Sequence, residues 1–167
     1  MSAAARRVAL PRLGTGVFLG MALLGLFVLL ALVGPLLCKR PPTLHDADHL
    51  LNGPSPQHWL GTDENGCDLL TQLCFGARVL LAMCVSVVTL CLTVGVLLGT
   101  VAGYVGGWLD EVVMRVIDVL LAFPGILLNL AIVALAPRAG IGVLVFALAV
   151  NGWVGYARVA RAQVLRV

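Results

Sequence analysis

The chain has 167 residues, of which 60% are hydrophobic and only 11% are charged. Soluble domains do not carry so much apolar sequence, whereas runs of about 20 apolar residues cross a lipid bilayer, so the composition predicts an integral membrane protein. The 11 basic and 8 acidic side chains give a net charge of +3, which is too small to indicate nucleic acid as a partner.

The residue types that carry chemistry form no catalytic pattern. The sequence contains no phosphate-cradling glycine loop, no Ser-His-Asp candidate set and no internal repeat, so we expect neither enzymatic activity nor a cofactor. The five cysteines are odd in number and follow no zinc spacing. Cys84 and Cys91 fall in an apolar run, where cysteine acts as a small hydrophobe. A disulfide between Cys67 and Cys74 stays open as an alternative.

The N-terminal part predicts an uncleaved first span. Residues 1–13 contain Arg6, Arg7 and Arg12 and no acid, and residues 14–37 contain no charge. As a helix the uncharged stretch measures about 36 Å, which is enough to cross a bilayer. A signal peptide is the alternative, but the apolar run is too long and ends without a small-x-small cleavage site. The arginines predict a cytoplasmic N-terminus.

Residues 38–78 are the long polar segment of the chain, and we expect them to form an external loop. Four prolines exclude a continuous helix in the first half. Five acids outnumber three bases, and segments poor in positive charge belong outside. A metal site is an alternative for three nearby histidines, although we expect ordinary surface residues and no metal there. These are His45, His49 and His58.

A second span is predicted over residues 79–101, with a face of small residues. Gly95, Gly99 and Gly103 are spaced by four and continue the register of Cys91. Small-residue faces let membrane helices approach closely, so we expect these glycines to form a helix-packing seam.

Residues 102–111 predict a glycine-rich cytoplasmic turn, followed by a third span over residues 112–136 with Pro124 about halfway along. An acidic pair, Asp110 and Glu111, suits the first turn of a helix because the helix dipole favours negative charge there.

Four polar side chains are candidates for contacts along a path between subunits: Arg115, Asp118, Asn129 and Asn151. Arg115 and Asp118 are three apart, so they share one helix face and can pair. An amide in hydrocarbon needs a partner, so we expect Asn129 to bond a neighbouring helix. The alternative for the charged residues is a cytoplasmic turn in the headgroup region.

The C-terminal part predicts an external turn over residues 137–140, a fourth span over residues 141–156 and a cytoplasmic tail over residues 157–167. The fourth span is short for a bilayer, so we expect it to tilt little or to extend past Tyr156. The tail contains basic residues and no acid, which predicts an inside location at anionic headgroups. These residues are Arg158, Arg161 and Arg166.

Three blocks of the sequence resemble the permease subunits of one class of ATP-binding-cassette (ABC) importers. Residues 58–81 read HWLGTDENGCDLLTQLCFGARVLL, similar to HxLGTDxxGRDxLSRLxxGARxSL in permeases for dipeptides, oligopeptides and nickel. Residues 103–124 read GYVGGWLDEVVMRVIDVLLAFP, similar to the family's AGYxGGWxDxxxMRxxDxxLAFP. Residues 153–165 read WVGYARVARAQVL, similar to its WxxYARxxRxxxL. The blocks stand in the family's order and spacing.

The external loop carries the family's loop motif with two departures. Cys67 stands where the family has arginine, and Gln72 stands where it often has a second one. If those arginines pair with loop carboxylates, Asp63 and Asp68 lose partners here. The motif residues that match are Gly61, Thr62, Asp63, Gly66, Asp68, Gly76, Ala77 and Arg78.

The resemblance implies an all-α polytopic fold of about four transmembrane helices, the front part of a type I ABC-importer permease, in a bacterial cytoplasmic (inner) membrane. It also implies three kinds of partner: a second permease subunit, two cytoplasmic ATPase subunits and an external substrate-binding protein. Substrate would pass between the permeases by alternating access, and ATP hydrolysis would reside in the ATPases. Short peptides are expected as substrate before nickel.

The resemblance covers roughly residues 14–167 and only the first half to two-thirds of such a permease. The family places its coupling helix and two further spans beyond the matching part, so residues 1–167 alone are not expected to support ATP-driven uptake. A truncated, non-transporting remnant or a small membrane scaffold is therefore the alternative function. An intramembrane enzyme has no support, because no paired His, Asp or Ser lies at helical spacing within the spans.

Overall fold

The computed structural model describes residues 15–38, 41–42, 44–46, 49–138 and 140–166, and these residues form five α-helices. In chain order the helices are α1 (Thr15–Leu37), α2 (Leu69–Val105), α3 (Gly107–Ala122), α4 (Gly125–Leu135) and α5 (Ile141–Val164). The predicted all-α class is confirmed. The predicted cytoplasmic N-terminus, with Arg6, Arg7 and Arg12, lies outside the described residues.

The helices are of the length and composition that membrane proteins use. Among the described residues, α1, α2 and α5 are each long and apolar enough to cross a bilayer. The pair α3 and α4 makes a fourth candidate if the two helices together form one span. This arrangement agrees with the predicted polytopic membrane class, because most large apolar side chains on these helices are exposed and need lipid or protein around them.

Helix α2 begins earlier than the predicted second span, at Leu69 instead of residue 79. The reason is an N-cap that the loop prediction did not use. The carboxylate of Asp68 accepts hydrogen bonds from the backbone N–H of Thr71 (2.9 Å) and from its hydroxyl (2.6 Å). A capping Asp before an apolar run starts a helix, so the second half of the expected loop is partly helical.

The predicted turn over residues 102–111 is much shorter in the structure. Helix α2 continues to Val105 and α3 begins at Gly107, so Gly106 alone separates them. Both glycines have positive φ, 65° at Gly106 and 56° at Gly107, which side chains with a Cβ rarely adopt. Asp110 lies in the first turn of α3, as the charge pattern predicted.

The predicted third span, residues 112–136, is broken at Pro124 into two helices. Helix α3 ends at Ala122, α4 begins at Gly125, and their axes differ by 86°. Phe123 is extended, with φ −92° and ψ 136°, because the proline ring excludes the helical conformation for the residue before it. Proline also lacks the N–H that would continue the ladder.

Helix α5 begins at Ile141 and continues to Val164. The helix therefore continues past Tyr156, and Arg158 and Arg161 are helical residues. The chain divides into two compact units, one up to Val79 and one from Leu80 onward. In the second unit, Ile117 of α3 packs with Val154 and Ala157 of α5 as a small buried core.

Candidate functional site

Two ion pairs join α3 to α5. The guanidinium of Arg161 donates to the carboxylate of Asp110 through both Nε and Nη2, at 2.5 Å and 2.6 Å. This two-pronged geometry is the strong form of an Arg–carboxylate contact. A second pair joins Arg158 Nη2 and Asp118 Oδ1 at 3.5 Å, with side chains 50% and 66% exposed. The Asp110 pair is less exposed, at 31% for Arg161 and 21% for Asp110.

The pairing of Arg115 with Asp118 that the spacing allows does not form. Arg115 instead lies 4.0 Å from Glu111, one helical turn earlier, in a pair whose side chains are both about three-quarters exposed. Asp118 instead forms an ion pair with Arg158 of α5. Spacing within one helix identifies which residues share a face, but the neighbouring helix decides which pair forms.

The bend between α3 and α4 is joined to α5 by amide contacts. Asn151 Nδ2 donates to Asn129 Oδ1 at 3.3 Å and lies 3.5 Å from the backbone carbonyl oxygen of Gly125. The expectation that Asn129 bonds a neighbouring helix is confirmed, with Asn151 as its partner. Two of the four predicted polar candidates therefore meet each other, beside the point where the helix ladder is interrupted.

The glycine face of α2 lies directly against α5. A methyl group placed on Gly95 would lie 2.5 Å from the carbonyl oxygen of Trp153, and one on Gly103 would lie 3.1 Å from Cβ of Val164. At Gly99 the added carbon would collide with the backbone of Ala157, whose Cα lies 2.8 Å away. A side chain at Gly95 or Gly99 would force the helices apart, whereas one at Gly103 would require Val164 to shift slightly.

The loop motif forms a small polar core in the first unit. His58, Thr62 and Thr71 are almost fully buried, and His58 Nδ1 lies 3.2 Å from Asp68 Oδ1. Burial raises the pKa of the Asp68 carboxyl, but the hydrogen bonds from Thr71 and His58 outweigh it, so the pKa lies below its ordinary value. Asp68 therefore stays ionised, and its carboxylate contacts both the buried His58 and Thr71 at the start of α2.

Asp63 organises the turn that precedes α2. Its carboxylate accepts from the backbone N–H of Cys67 (2.8 Å) and of Asn65 (2.9 Å), and from Gln72 Nε2 (2.7 Å). The Cys67 and Gln72 hydrogen bonds hold the pKa of Asp63 below its ordinary value. Both carboxylates have partners in this chain without those arginines, because Gln72, at one arginine position of the family, contacts Asp63, and Thr71 and His58 contact Asp68.

The remaining motif residues have backbone and packing roles. Gly61 and Gly66 have positive φ, 82° and 75°, and the backbones of Asn52 and Asp46 leave no room for a Cβ at them. Ala77 is buried, whereas Gly76 and Arg78 are exposed.

The histidines and cysteines of the described residues form no group of three or more metal-ligating side chains. His49 lies 3.1 Å from Asp46, and its ring centroid is 5.9 Å from that of His58. All five cysteines are free. Cys67, for which a disulfide with Cys74 was left open, lies 3.6 Å from His45 Nδ1.

Residues 95–167, which include the end of α2 and all of α3 to α5, match the family described as binding-protein-dependent transport system inner membrane component. Over these residues the chain is similar to this family of inner membrane transport components. The matched region contains both ion pairs, the bend and the glycine face described above.

Curated relatives extend the match toward the N-terminus. The chain is 39% identical over 152 residues to the dipeptide transport system permease protein DppC of Bacillus subtilis, which covers 88% of this chain and 47% of that protein. It is 32% identical to the oligopeptide transport system permease protein OppC of the same organism, over 89% of this chain and 48% of that protein. It is 42% identical to the glutathione transport system permease protein GsiD of Pectobacterium atrosepticum, over 72% of this chain and 40% of that protein. The chain thus spans about half the length or less of these relatives.

Proposed function

We propose that this chain is a membrane-spanning part of a permease subunit in an ABC importer for short peptides. The observation that carries the proposal is the joint match to the inner membrane component family and to permeases named for dipeptide, oligopeptide and glutathione transport. Those names favour peptide substrates over nickel. The partners proposed are a second permease subunit, two cytoplasmic ATPase subunits that hydrolyse ATP, and an external substrate-binding protein.

The proposed mechanism is alternating access, in which packed helices move as rigid elements around a path between two permease subunits. The backbone fit of Gly95, Gly99 and Gly103 against α5 supports rigid movement, because helices in such close contact move together. The Asp110–Arg161 contact supports it further by tying α3 to the same helix. A ligand or nucleotide shifts such an equilibrium only through contacts that differ between the two states.

We assign the polar candidates to two surfaces. The exposed Arg115–Glu111 pair is costly to place in hydrocarbon, so it is proposed to face water or the second permease subunit. Asn129 and Asn151 lie beside the interrupted backbone at Phe123 and Pro124. Non-helical backbone at membrane depth is tolerated where it is buried in protein or lines a water-filled cavity, so the bend is proposed to lie next to the translocation path.

The proposed topology places both termini in the cytoplasm and residues 38–78 outside. It rests on the arginine distribution and predicts opposite labelling of two introduced cysteines, Glu64→Cys in the loop and Arg166→Cys after α5. In intact cells, a membrane-impermeant maleimide should label Glu64→Cys at once and Arg166→Cys only after permeabilisation. The parent chain provides the background from native thiols. Labelling of Arg166→Cys in intact cells would contradict the topology.

Uptake by the source organism tests the transport function. Deletion of the gene encoding this chain should abolish accumulation of a radiolabelled dipeptide and leave ⁶³Ni²⁺ accumulation unchanged. Complementation with the intact gene, including any coding sequence beyond residue 167, should restore dipeptide uptake, and the Gly99→Leu variant of it should not, because that variant disrupts the contact between α2 and α5. The matched Gly155→Leu variant should restore uptake. Undiminished dipeptide uptake in the deletion strain would contradict the proposal.

A further inference from the structure

Two cysteines meet at the base of the polar segment, at the end of α1 and near the start of α2. The backbone N–H of Cys38 donates to the carbonyl oxygen of Gly34 at 3.0 Å, so Cys38 lies one helical turn beyond Gly34 on the same face. Gly34 in turn contacts Cys74: a methyl group on Gly34 would lie 2.6 Å from Sγ of Cys74 and 2.8 Å from its Cβ. The missing side chain at Gly34 leaves room for Cys74 to pack against α1 one helical turn from Cys38, so that the two thiols are close enough to interact.

The other cysteines are occupied elsewhere. Cys67, the partner of Cys74 that the sequence left open, contacts the ring of His45. Cys91 is buried and lies 3.9 Å from the carbonyl oxygen of Ala149 on α5. Cys84 is exposed on α2. Among the described residues, the proximity at Gly34 therefore selects Cys38 as the partner of Cys74.

We propose that Cys38 and Cys74 form a redox-sensitive disulfide that closes the polar segment at its base and ties the end of α1 to the start of α2. The pairing rests on the geometry in the first compact unit alone. Its oxidised state in the cell rests on the proposed function, which places residues 38–78 outside, where disulfides persist.

The reaction is a thiol–disulfide exchange with the disulfide of an external thiol–disulfide oxidoreductase as oxidant. Cys38 is the more exposed thiol, so its thiolate attacks the oxidant's disulfide and releases one oxidant thiolate. The thiolate of Cys74 then attacks the Cys38 sulfur of this mixed disulfide and releases the second. One protein S–S bond forms, one oxidant S–S bond breaks, and the two protons from the cysteines pass to the oxidant, which leaves as a dithiol.

The pairing is tested on the full chain in detergent micelles with diamide, which accepts two electrons and two protons from a pair of thiols. After denaturation, thiols are counted by the gel shift of a maleimide–polyethylene glycol reagent. Diamide should lower the count from five to three in the wild-type chain, which has five free cysteines. Cys38→Ser and Cys74→Ser should each abolish the diamide-induced loss, whereas Cys67→Ser and Cys84→Ser should retain it.

Mass spectrometry of the oxidised wild-type chain needs no variant and should identify the peptide linking Cys38 to Cys74. Five reactive thiols after diamide, or a link between Cys67 and Cys74, would overturn the pairing and leave the transport proposal intact. In intact cells, the pair should be oxidised without added reagent and reduced by dithiothreitol. A disulfide that forms in detergent while both thiols stay free in cells would overturn the proposal that the pair is oxidised in the cell. The Glu64→Cys labelling would then show whether residues 38–78 lie outside, and so whether the proposed topology is also wrong.

Discussion

The polar segment before α2 and the helices from Leu80 onward are stabilised in different ways. In the polar segment, the carboxylates of Asp63 and Asp68 bind backbone N–H groups and side chains within a short stretch of chain. Among the helices, glycines bring two backbones together and long-range contacts such as Asp110–Arg161 join distant residues.

The difference shows where single residues matter most. In the polar segment a side chain must be present, because buried polar groups such as His58 and Thr71 need their partners. At the glycine seam a side chain must be absent, because the neighbouring backbone already occupies its place. Changes in the two regions should therefore differ in kind: loss of a group is harmful in one, and gain of a group is harmful in the other.

The largest effect is expected at the glycine seam. Gly99→Leu should lower the free energy of unfolding by about 1–3 kcal/mol or more, because the added side chain meets the backbone of Ala157. Gly155→Leu is the matched control, since a Cβ there has no neighbour within 4 Å. Leu97→Phe, at a side chain that is 60% exposed, controls for bulk on α2. Thermal unfolding and recovery of monodisperse protein in mild detergent measure the difference. Equal recovery of the three variants would mean that the close approach is unimportant.

The second-largest effect of a substitution on stability is expected at the start of α2. Asp68→Ala removes the acceptor for Thr71 and for His58, and loss of an N-cap costs about 1 kcal/mol. The first turns of α2 should exchange their amide hydrogens faster, as measured by hydrogen–deuterium exchange with mass spectrometry. Glu64→Ala, at an exposed position of the same turn, should leave exchange in these turns unchanged. Unaltered exchange in the Asp68→Ala variant would show that the cap does not hold this end of the helix.

A smaller effect is expected at the bend. Asn129→Leu and Asn151→Leu should each destabilise the protein, since each removes one partner of the hydrogen bond between the two side-chain amides. The double variant should lose less free energy of unfolding than the two single variants lose together. The difference, the coupling energy, should be about 0.6 kcal/mol, as is typical for hydrogen bonds between membrane helices. Unfolding in bicelles for the four variants of this double-mutant cycle gives that energy. Strict additivity would indicate that the two amides do not interact.

The smallest effect at neutral pH concerns protonation of the polar segment. The pKa of Asp63 lies below its ordinary value of 3.8 because of the Cys67 and Gln72 hydrogen bonds. The unfolded chain therefore binds this proton more readily, so the stabilisation is fully present above that value and is lost as the pH falls through the folded pKa. Proteolysis of the segment by pepsin should accelerate only below about pH 4.

The control for this pH dependence is Asp63→Asn, in which the titrating carboxylate is absent. Its segment should be cleaved faster than that of the wild type at pH 5, with a smaller further increase on acidification. An onset of wild-type cleavage well above about pH 4 would contradict the assignment of this pH dependence to Asp63.

The sequence by itself determined the membrane class, the helical fold and the family resemblance, because apolar runs, arginine distribution and glycine spacing are local properties of the chain. It also determined that Gly95, Gly99 and Gly103 share one helix face. The cap at Asp68 could have been found from the Asp before the apolar run, and the break at Pro124 from the extended conformation that proline imposes on its predecessor.

Only the tertiary structure decided which residues meet across the chain. Asp118 pairs with Arg158 instead of Arg115, Gln72 contacts Asp63, and Cys74 packs against Gly34 of α1 while Cys67 contacts His45. Each of these choices depends on how one element packs against another, which periodicity within a single helix does not specify. The physical reason is that spacing fixes the direction of a side chain, whereas its partner is fixed by the packing of the neighbouring segment.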